Sequence, residues 1–506
     1  MSGYGEQPGD GVFVRSRELF ESLIAELTGG EMAWCTHAEL EERLTDRGRE
    51  LLRSLMQDHL GLRAVREERA DRVTGSDHVE RTRVERVHRR GLATVFGPVT
   101  VTRMAYRAPG ARNLYPADAA LNLPEGRHSD GLAKMAVIES VRGSFDDAAE
   151  AIGRVSGVAV GKPQLLAMVR GAAADIEAFY AQRLPRPAPG ALLVQTYDGK
   201  GIVMRPEALR AGTAKAAAKA SQKLSTRLSP GEKNGRKRMA ELGCVYDAEP
   251  VPRTPGDVLS RSAKPGQDAT RRRGPVATGK WLTGSVTDDI AAVIAAGFDE
   301  ATRRDPGQER TWVALVDGNN TQIQAIKAEA TRREVEVRIV VDFIHVAEYV
   351  WGAAWSFFDK GDADAETWVA GQLTKILHGK AGDVAAGIRR RATRFGYTSD
   401  ERKGADEAAN YLTSKKPYLD YATALAAGWP IATGVIEGAC RHLVKDRMDI
   451  TGARWGLEGA EAILRLRALH TSGDLDDYWQ FHLLKQHQHR HETRYARHQN
   501  DHTLAA

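Results

Sequence analysis

The chain has 506 residues, with 72 Lys and Arg against 67 Asp and Glu and a formal net charge of +5. At roughly 150 residues per domain, this length predicts about three domains. A content of 42% hydrophobic and 27% charged residues is that of folded proteins, which excludes global disorder and a collagen-like chain.

No apolar run approaches the ~18–20 residues that cross a bilayer. The first residues also lack the basic and then apolar pattern of a signal peptide. The cysteines, Cys35, Cys244 and Cys440, lie far apart, which argues against a disulfide framework and a zinc ribbon. We therefore expect a cytoplasmic protein with no membrane partner.

The first part of the chain is predicted to be mainly helical. Apolar residues recur at helical spacing over residues 17–70, whereas residues 92–107 alternate between apolar and polar positions. The alternating stretch predicts a β-hairpin, and Gly97-Pro98 is interpreted as its turn.

Two short helices separated by a turn are predicted between residues 144 and 182. The first follows a capping box formed by Ser144 and Asp147, and the second can begin at Pro163. This pattern fits a DNA-reading helix-turn-helix, whose second helix enters a groove. Helical hairpins also occur in proteins of every function, so both interpretations stay open.

A Pro-rich linker at residues 183–191 marks a domain boundary, and the pattern changes after it. LLVQTYDGKGIVMR is interpreted as two short strands about a Gly-containing turn, and RMAELGCVYDA as a third strand. Two helices then alternate with the strands RTWVALVDGNN and VEVRIVVD, and residues 343–429 are helical or loop-like. Three strands followed by alternating helix and strand predict a mixed α/β sheet.

Positive charge is concentrated in one stretch. Residues 205–280 hold 17 Lys and Arg against 7 Asp and Glu, so this stretch alone exceeds the net charge of the whole chain. On a helix, four of these cations, at positions 215, 219, 223 and 227, form one stripe. Binding of phosphate groups is the natural function of such a surface. A solvated, flexible insertion is the alternative. The candidate DNA-binding residues here are Lys215, Lys219, Lys223, Arg227, Arg236, Lys237, Arg238, Arg271, Arg272 and Arg273.

Acidic residues stand where apolar strands end. Asp198 and Asp317 are each followed by a glycine, and Asp342 ends the next strand. Strand ends are the usual site positions in α/β sheets, and a partly buried carboxylate is costly unless it is paired or binds a cation. One aspartate alone is more often a turn residue, but carboxylates on successive strands predict a magnesium site.

Glu437 is the candidate for a further carboxylate ligand. On a helix, Glu437, Arg441 and Lys445 share one face, which can hold a metal while binding a phosphate backbone. An exposed helix stabilised by salt bridges is the alternative.

Four segments carry a resemblance to a known family: TYDGKGIVMR, LVDGNNTQI, VVDFIHVAEYVW and GWPIATGVIEGACRHLVKDRMDITGARWGLEGAEAILRLRAL. Over roughly residues 190–480 the chain resembles ISKra-type insertion-sequence transposases, which belong with the Mutator-like RNase H-fold DDE enzymes. The resemblance implies that Asp198, Asp317 and Glu437 form a catalytic triad holding two divalent ions, Mg²⁺ or Mn²⁺. It also implies an α/β RNase H-like core interrupted by an all-helical insertion.

The family further carries a Cys-or-Asp, two residues, then His signature after the last core strand, which Asp342 and His345 match. The resemblance implies that His345 lies near the active site, where it organises DNA or flanks the metals. A hydrogen-bonded core histidine is the alternative for His345.

The implied reaction is metal-dependent hydrolysis at a transposon end, followed by attack of the freed 3′-hydroxyl on target DNA. The implied partners are transposon-end and target DNA, bound by a homodimer or higher oligomer in the bacterial cytoplasm and on its nucleoid. Two alternatives stay open: an RNase H-fold DNA nuclease or resolvase, and a domesticated sequence-specific DNA-binding protein.

Several other residues are interpreted less sharply. Arg454 and Trp455 either contact DNA or belong to the core, and Cys440 is interpreted as core. His487 and His491 have metal-like spacing but no acidic or cysteine companion, which favours a solvated helix end. Additional basic surface for flanking DNA is expected at Arg389, Arg390, Arg391, Arg394, Lys415 and Lys416.

The predicted domains follow from these patterns. They are an N-terminal helical region with a β-hairpin (1–115), a helix-turn-helix-like DNA-binding domain (116–186), the first part of the catalytic core with the basic insertion 205–280 (187–358), a helical insertion (359–430), the glutamate-bearing part of the core (431–470) and a polar, His-rich tail (471–506).

Overall fold

A computed structural model describes residues 11–184, 190–219, 236–259 and 272–496. The chain divides into two compact units: unit 1 is Met1–Ala181 with Leu475–Ala506, and unit 2 is Gln182–Asp474. Lys223, Arg227 and Arg271, predicted to bind DNA, lie outside the described residues. In the part of the chain that the structure describes, no helix has the length and apolar character needed to cross a membrane.

Unit 1 is mostly helical and contains two small antiparallel sheets. Its helices are α1 (Val14–Thr28), α2 (His37–Arg66), α3 (Pro116–Ala120), α4 (Asp130–Arg142), α5 (Phe145–Ser156), α6 (Lys162–Ala172), α7 (Ile176–Gln182, which ends at the unit boundary) and α19 (Leu475–Arg490). Its strands are β1 (Val73–Thr74), β2 (Glu80–Arg81), β3 (Arg83–Thr94) and β4 (Gly97–Arg107).

The predicted β-hairpin is present, but its turn lies two residues earlier in the chain than expected. Strands β3 and β4 pair from Arg83 with Arg107 to Thr94 with Gly97. Gly97 and Pro98 therefore already belong to β4, and residues 95 and 96 make the turn. The apolar residues of the hairpin pack in a core cluster with Leu60 of α2.

The two helices predicted after residue 144 are α5 and α6. The Ser144 hydroxyl accepts the amide of Asp147, and the Asp147 carboxylate accepts the amide of Ser144, so the predicted capping box is confirmed. Pro163 lies in the first turn of α6, as its fixed φ angle favours. Leu132 of α4, Ile152 of α5 and Leu165 of α6 are fully buried against one another.

The polar C-terminal segment is not a solvated helix end. Tyr478, Trp479 and His482 of α19 are buried in unit 1, and the Tyr478 hydroxyl donates to the carbonyl of Ala172. His491, just beyond the helix, is 4% exposed and lies 3.1 Å from the carbonyl of Leu123 through Nε2. The expectation of a solvated helix end is thus wrong for His482 and His491, because both rings are buried and contact polar groups of the unit, Asp175 and the Leu123 carbonyl.

Acidification is expected to destabilise unit 1 through His491. Burial, with a contribution from His487, lowers the pKa of His491 to about 4, whereas an unfolded histidine titrates near ~6.5. Below pH ~6.5 the unfolded chain therefore binds a proton that the folded unit does not, and stability is lost until pH ~4. His491 alone should contribute a loss of about 2 kcal/mol between pH ~7.5 and ~5.

Urea unfolding at the two pH values measures this loss. His491→Gln keeps an amide donor for Leu123 and should lose less stability on acidification than the wild type. His489→Gln, at an exposed position of the same helix, is the matched control and should behave as the wild type. An unchanged loss in His491→Gln would contradict the assignment.

Unit 2 is a mixed α/β unit built on one five-stranded sheet. The strands are β5 (Leu192–Met204), β6 (Arg236–Ala248), β7 (Thr278–Ser285), β8 (Thr311–Val316) and β9 (Val337–Val341), in the spatial order β7-β6-β5-β8-β9. The pairs β5–β6 and β6–β7 are antiparallel, whereas β5–β8 and β8–β9 are parallel. The predicted mixed sheet is confirmed.

One predicted strand assignment is wrong, and one strand was not predicted. LLVQTYDGKGIVMR is one continuous strand, β5, because Gly199 and Gly201 stay in register with Glu241 and Met239 of β6. Side chains of the partner strand occupy the space that glycine leaves, since a Cβ on Gly201 would lie 2.9 Å from Cδ of Lys237. The third antiparallel strand is β7, which sequence reasoning missed.

The helices of unit 2 are α8 (Ala211–Lys219), α9 (Pro255–Leu259), α10 (Ile290–Arg304), α11 (Asn320–Arg332), α12 (Phe343–Ala354), α13 (Ala363–Leu377), α14 (Ala381–Arg394), α15 (Lys403–Lys415), α16 (Tyr421–Ala426), α17 (Gly434–Ala439) and α18 (Leu457–Thr471). Helices α10 and α11 alternate with the last strands, as predicted. Helix α15 packs against α12 and α14, so the segment between β9 and α17 is a helical layer.

Candidate active site

The register of the three parallel strands brings three predicted aspartates to one edge of the sheet. Thr196 of β5 pairs with Leu315 of β8, and Asp198 and Asp317 each lie two residues further on. Val316 pairs with Val341, and Asp317 and Asp342 each lie one residue further on. Neighbouring strands are about 4.8 Å apart, so these three backbone positions follow one another across the sheet at the same level.

The Asp342 carboxylate turns into the protein interior. Asp342 is 0% exposed, and its Oδ1 accepts the amide of Ile344 at 2.8 Å as the N-cap of α12. The buried hydroxyl of Thr433 donates to its other oxygen, Oδ2. Asp342 therefore holds together β9, α12 and the segment that leads into α17, which is a supporting role.

Asp317 lies at the start of a short loop between β8 and α11. Its Oδ1 accepts the amide of Asn319 at 2.8 Å, and its side chain is half-buried. The Tyr411 hydroxyl of α15 donates to the Asp317 carbonyl at 2.9 Å, and the Tyr411 ring stacks on Tyr349 of α12, with 3.9 Å between the centroids. The helical layer thus fixes the backbone of Asp317.

Glu437 lies on the exposed side of α17, next to Thr433. Its Oε1 is 3.3 Å from the Thr433 hydroxyl, which also contacts Asp342. One hydroxyl proton can serve only one of these two carboxylates at a time. Thr433 therefore links Asp342 and Glu437, a connection that sequence reasoning missed.

The predicted common face of Glu437, Arg441 and Lys445 is interrupted. Helix α17 ends at Ala439, and residues Cys440–Lys445 form a π-helix instead, so the spacing of an α-helix does not hold there. All three side chains are nevertheless exposed, and Arg441 lies 3.9 Å from Asp446.

Cys440 contacts Asp198 directly. Its Sγ donates to Oδ2 of Asp198 at 3.1 Å, while the amide of Gly199 donates to Oδ1 at 2.7 Å. Burial raises the pKa of the Cys440 thiol, and the nearby charge of Asp198 and the hydrogen bond to it raise it further, so the thiol keeps its proton and acts as a donor. Cys440 is buried, as predicted, yet it also orients a candidate catalytic carboxylate.

Two further charged side chains lie near Asp198 and were missed. Lys200 is two residues along β5 and therefore on the same face of the strand. Glu241 lies on the neighbouring strand β6, opposite Gly199. Burial raises the pKa of Glu241, and the charge of Asp198 raises it further. Alternation along β5 was the available signal for Lys200.

His345 is half-buried in the first turn of α12, where its Nδ1 lies 3.0 Å from Oε2 of Glu348. Burial alone would lower the pKa of His345. The hydrogen bond to Glu348 and the charges of Asp342, Glu348 and Asp317 more than offset burial, so the pKa lies above its ordinary value. His345 therefore lies within the electrostatic field of two of the aligned aspartates.

In the described part of unit 2, the candidate carboxylates differ from other acidic side chains in their lack of ion pairs with Lys or Arg. Among the residues that the structure describes, no Lys or Arg forms an ion pair with Asp198, Asp317 or Glu437. Asp247, buried in the same unit, instead pairs with Arg304 at 2.7 Å and with Arg310 at 2.8 Å. Within the described ranges, no three His, Cys, Asp or Glu side chains are grouped closely enough to hold a metal ion.

The predicted DNA-binding cations differ in their surroundings. Lys215 and Lys219 are exposed on α8, and Arg273 is exposed beyond it. Nζ of Lys237 lies 2.8 and 2.9 Å from the Asp449 carboxylate oxygens, and the Arg238 guanidinium donates to the carbonyls of Val286 and Ala208.

The other residues that are predicted to contact DNA lie partly in the core and partly at the surface of unit 2. Arg236 lies at the start of β6, and the Arg272 amide donates to Asp257. Trp455 is 6% exposed and donates to the carbonyl of Met448, so it belongs to the core, whereas Arg454 is exposed.

Comparison with known proteins gives no close relative. No family model matches the chain, and no curated protein matches it. Among solved structures it is similar to one described as the Drosophila P element transposase strand transfer complex, at 8% sequence identity and a TM-score of 0.20, over 72% of this chain and 81% of that chain. A TM-score this low carries no argument about fold or function, so the function is argued from the residues of the site.

Gly318 is expected to be required for the Asp317 loop. Its φ angle is +95°, and a Cβ at this position would lie 2.5 Å from the Tyr411 hydroxyl. Gly318→Ala should therefore cost about 1–3 kcal/mol of unfolding free energy, measured by urea denaturation.

Gly361→Ala is the matched control, since Gly361 has a φ of +94° and a Cβ added there would meet nothing within 4 Å. The difference between the two variants isolates the contact with Tyr411. Adding Tyr411→Phe should recover part of the loss in Gly318→Ala, because it removes the clashing oxygen. No recovery in the double variant would show that the contact is not limiting.

Proposed function

We propose that this chain is a DNA transposase of the ISKra type, in which Asp198, Asp317 and Glu437 act on phosphodiester bonds. The observation that carries the proposal is the alignment of Asp198 and Asp317 on neighbouring parallel strands, without a cationic partner among the described residues. Such carboxylates are costly as structural elements alone. Glu437 is joined to the same region through Thr433 and through Cys440, which contacts Asp198.

The sheet supports this proposal. Its three antiparallel strands followed by two parallel ones, with the first strand central, support the RNase H-like core that the sequence resemblance implies. The helical layer between β9 and α17 corresponds to the insertion that the sequence resemblance implies. Asp342 and His345 lie at the start of this layer, where the resemblance expects the Asp, two residues, His signature.

The chemistry of the donor set, rather than its spacing in this structure, suits a hard divalent cation. Asp198, Asp317 and Glu437 offer only carboxylate oxygens, which are the ligands Mg²⁺ and Mn²⁺ take, and the first two are half-buried. Bound ions of this type would activate water and then the freed 3′-hydroxyl for in-line attack on phosphorus. The residues that would hold them are these three.

The surrounding residues prepare the carboxylates for that role. Cys440 and the Gly199 amide orient the two oxygens of Asp198, and Tyr411 fixes the Asp317 backbone. His345, whose raised pKa favours the cation, and Lys200 supply positive charge beside the carboxylates, where a phosphate would lie.

DNA recognition is assigned to both units. In unit 1, α5 and α6 are the proposed helix-turn-helix that would read transposon ends, and Lys162, Gln164 and Arg170 are exposed on α6. In unit 2, the exposed Lys215 and Lys219 would contact phosphates. Synapsis of two ends requires a homodimer or higher oligomer.

Asp198→Asn is expected to abolish Mg²⁺-dependent cleavage of transposon-end DNA while leaving end binding unchanged, because it removes a charged ligand and keeps the shape of the side chain. Cleavage and strand transfer are followed with labelled end DNA and a plasmid target, and binding by gel shift. Asp400→Asn, at an exposed position of the same unit, is the control.

Unchanged cleavage by Asp198→Asn would contradict the triad. Cleavage by the wild type without any joined product would instead identify a nuclease or resolvase.

Lys215→Ala with Lys219→Ala should weaken DNA binding equally across sequences. Each lost phosphate contact lowers the slope of log affinity against log salt concentration by about 0.9 on duplex DNA. Lys237→Ala is the comparison, because Lys237 already pairs with Asp449 and should change the slope less. A larger effect from Lys237→Ala would mean that DNA displaces Asp449.

A further inference from the structure

A cluster of aromatic rings surrounds one arginine in the helical layer of unit 2. The Arg391 guanidinium carbon lies 4.6 Å from the ring centroids of Phe357 and Phe358, and 5.6 Å from those of Trp368 and Phe395. Tyr397 completes the cluster by stacking on Phe395, with 5.6 Å between centroids and 16° between planes. We call these six residues the aromatic–arginine surface.

The aromatic–arginine surface is open to solvent. Phe395 is 58% exposed, although a phenylalanine of a folded domain is usually buried. Phe357, Phe358, Trp368 and Tyr397 are half-buried, so they support Phe395 without covering it. An exposed group of rings of this kind marks a site of interaction.

The charge next to these rings is positive. Helix α14 carries four arginines and one aspartate. Among the residues that the structure describes, neither Arg390 nor Arg394 forms an ion pair, and the charge of Arg391 is met by rings rather than by a carboxylate. The partner must therefore be anionic and offer flat groups that stack.

We propose that the aromatic–arginine surface binds unpaired DNA, with a base stacked on Phe395 and Tyr397 and phosphates held by Arg390 and Arg394. A base inside a duplex is already stacked on both faces, so only an unpaired strand presents a face to these rings. Base–aromatic stacking is worth about 1–3 kcal/mol per base. The inference rests on the proposed function and extends it, since it assigns the helical layer to a strand unpaired beside the cleaved bond.

The test measures binding of fluorescein-labelled oligothymidylate of about 16 nucleotides to the full-length protein, by anisotropy in EDTA so that no cleavage occurs. A duplex of the same length is measured in parallel. Phe395→Ala should weaken single-strand binding about 5- to 100-fold and duplex binding less than about twofold. Phe395→Tyr should keep the affinity, because it keeps the ring.

Two further variants test the contribution of the arginines and the effect of removing an unrelated exposed ring. Arg390→Ala with Arg394→Ala should reduce the single-strand salt slope by about 1.4. Trp34→Ala removes a ring that is 91% exposed and lies in unit 1, and should change neither affinity. Circular dichroism confirms that each variant is folded.

Three outcomes overturn the inference. The first is an unchanged affinity of Phe395→Ala for the single strand. The second is an equal loss of affinity for single strand and duplex in that variant. The third is a change in its oligomeric state, measured by mass photometry, with unchanged DNA affinity, which would identify a second copy of the chain as the partner. Because this assay needs no metal, it can fail while cleavage through Asp198 stands, and it can succeed while cleavage fails.

Discussion

The parallel pairing of β5, β8 and β9 is the constraint on which the site depends. A parallel ladder fixes residues at equal depth on adjacent strands, so Asp198, Asp317 and Asp342 reach the same edge of the sheet. A slip of one residue in either pair would turn one of these side chains to the opposite face. The buried strands that enforce the register, such as Thr311–Val316 with five of its six residues buried, therefore position the candidate site.

The three aligned aspartates nevertheless differ in burial. Asp342 is fully buried and satisfied by an amide and by Thr433. Asp198 and Asp317 are only half-buried; each has one local amide donor, and Asp198 also accepts a hydrogen bond from the Cys440 thiol. The interior carboxylate joins structural elements, and the two at the rim are those that we propose for chemistry.

Much of this arrangement could be predicted from sequence where the signal is local. The capping box at Ser144, the strands that end in Asp317 and Asp342, and the alternation of helix and strand follow from patterns within a few residues. The continuity of β5 could not be predicted, because Gly199 and Gly201 signal a turn unless a partner strand fills the space above them. The contacts of Cys440 with Asp198 and of Tyr411 with Asp317 join residues that are 242 and 94 positions apart, and no local pattern encodes them. The burial of His482 and His491 was missed for the same reason.

The placement of α19 has a consequence for how the protein is made. This helix is the last α-helix in the described part of the chain, yet it packs in the core of the unit formed mainly by the first 181 residues. During synthesis, the N-terminal unit cannot complete its core until unit 2 and then α19 have been made. Until then, the carbonyls of Ala172 and Leu123 lack their contacts with Tyr478 and His491. A chain truncated before residue 475 therefore lacks α19, so its N-terminal unit cannot form an intact core.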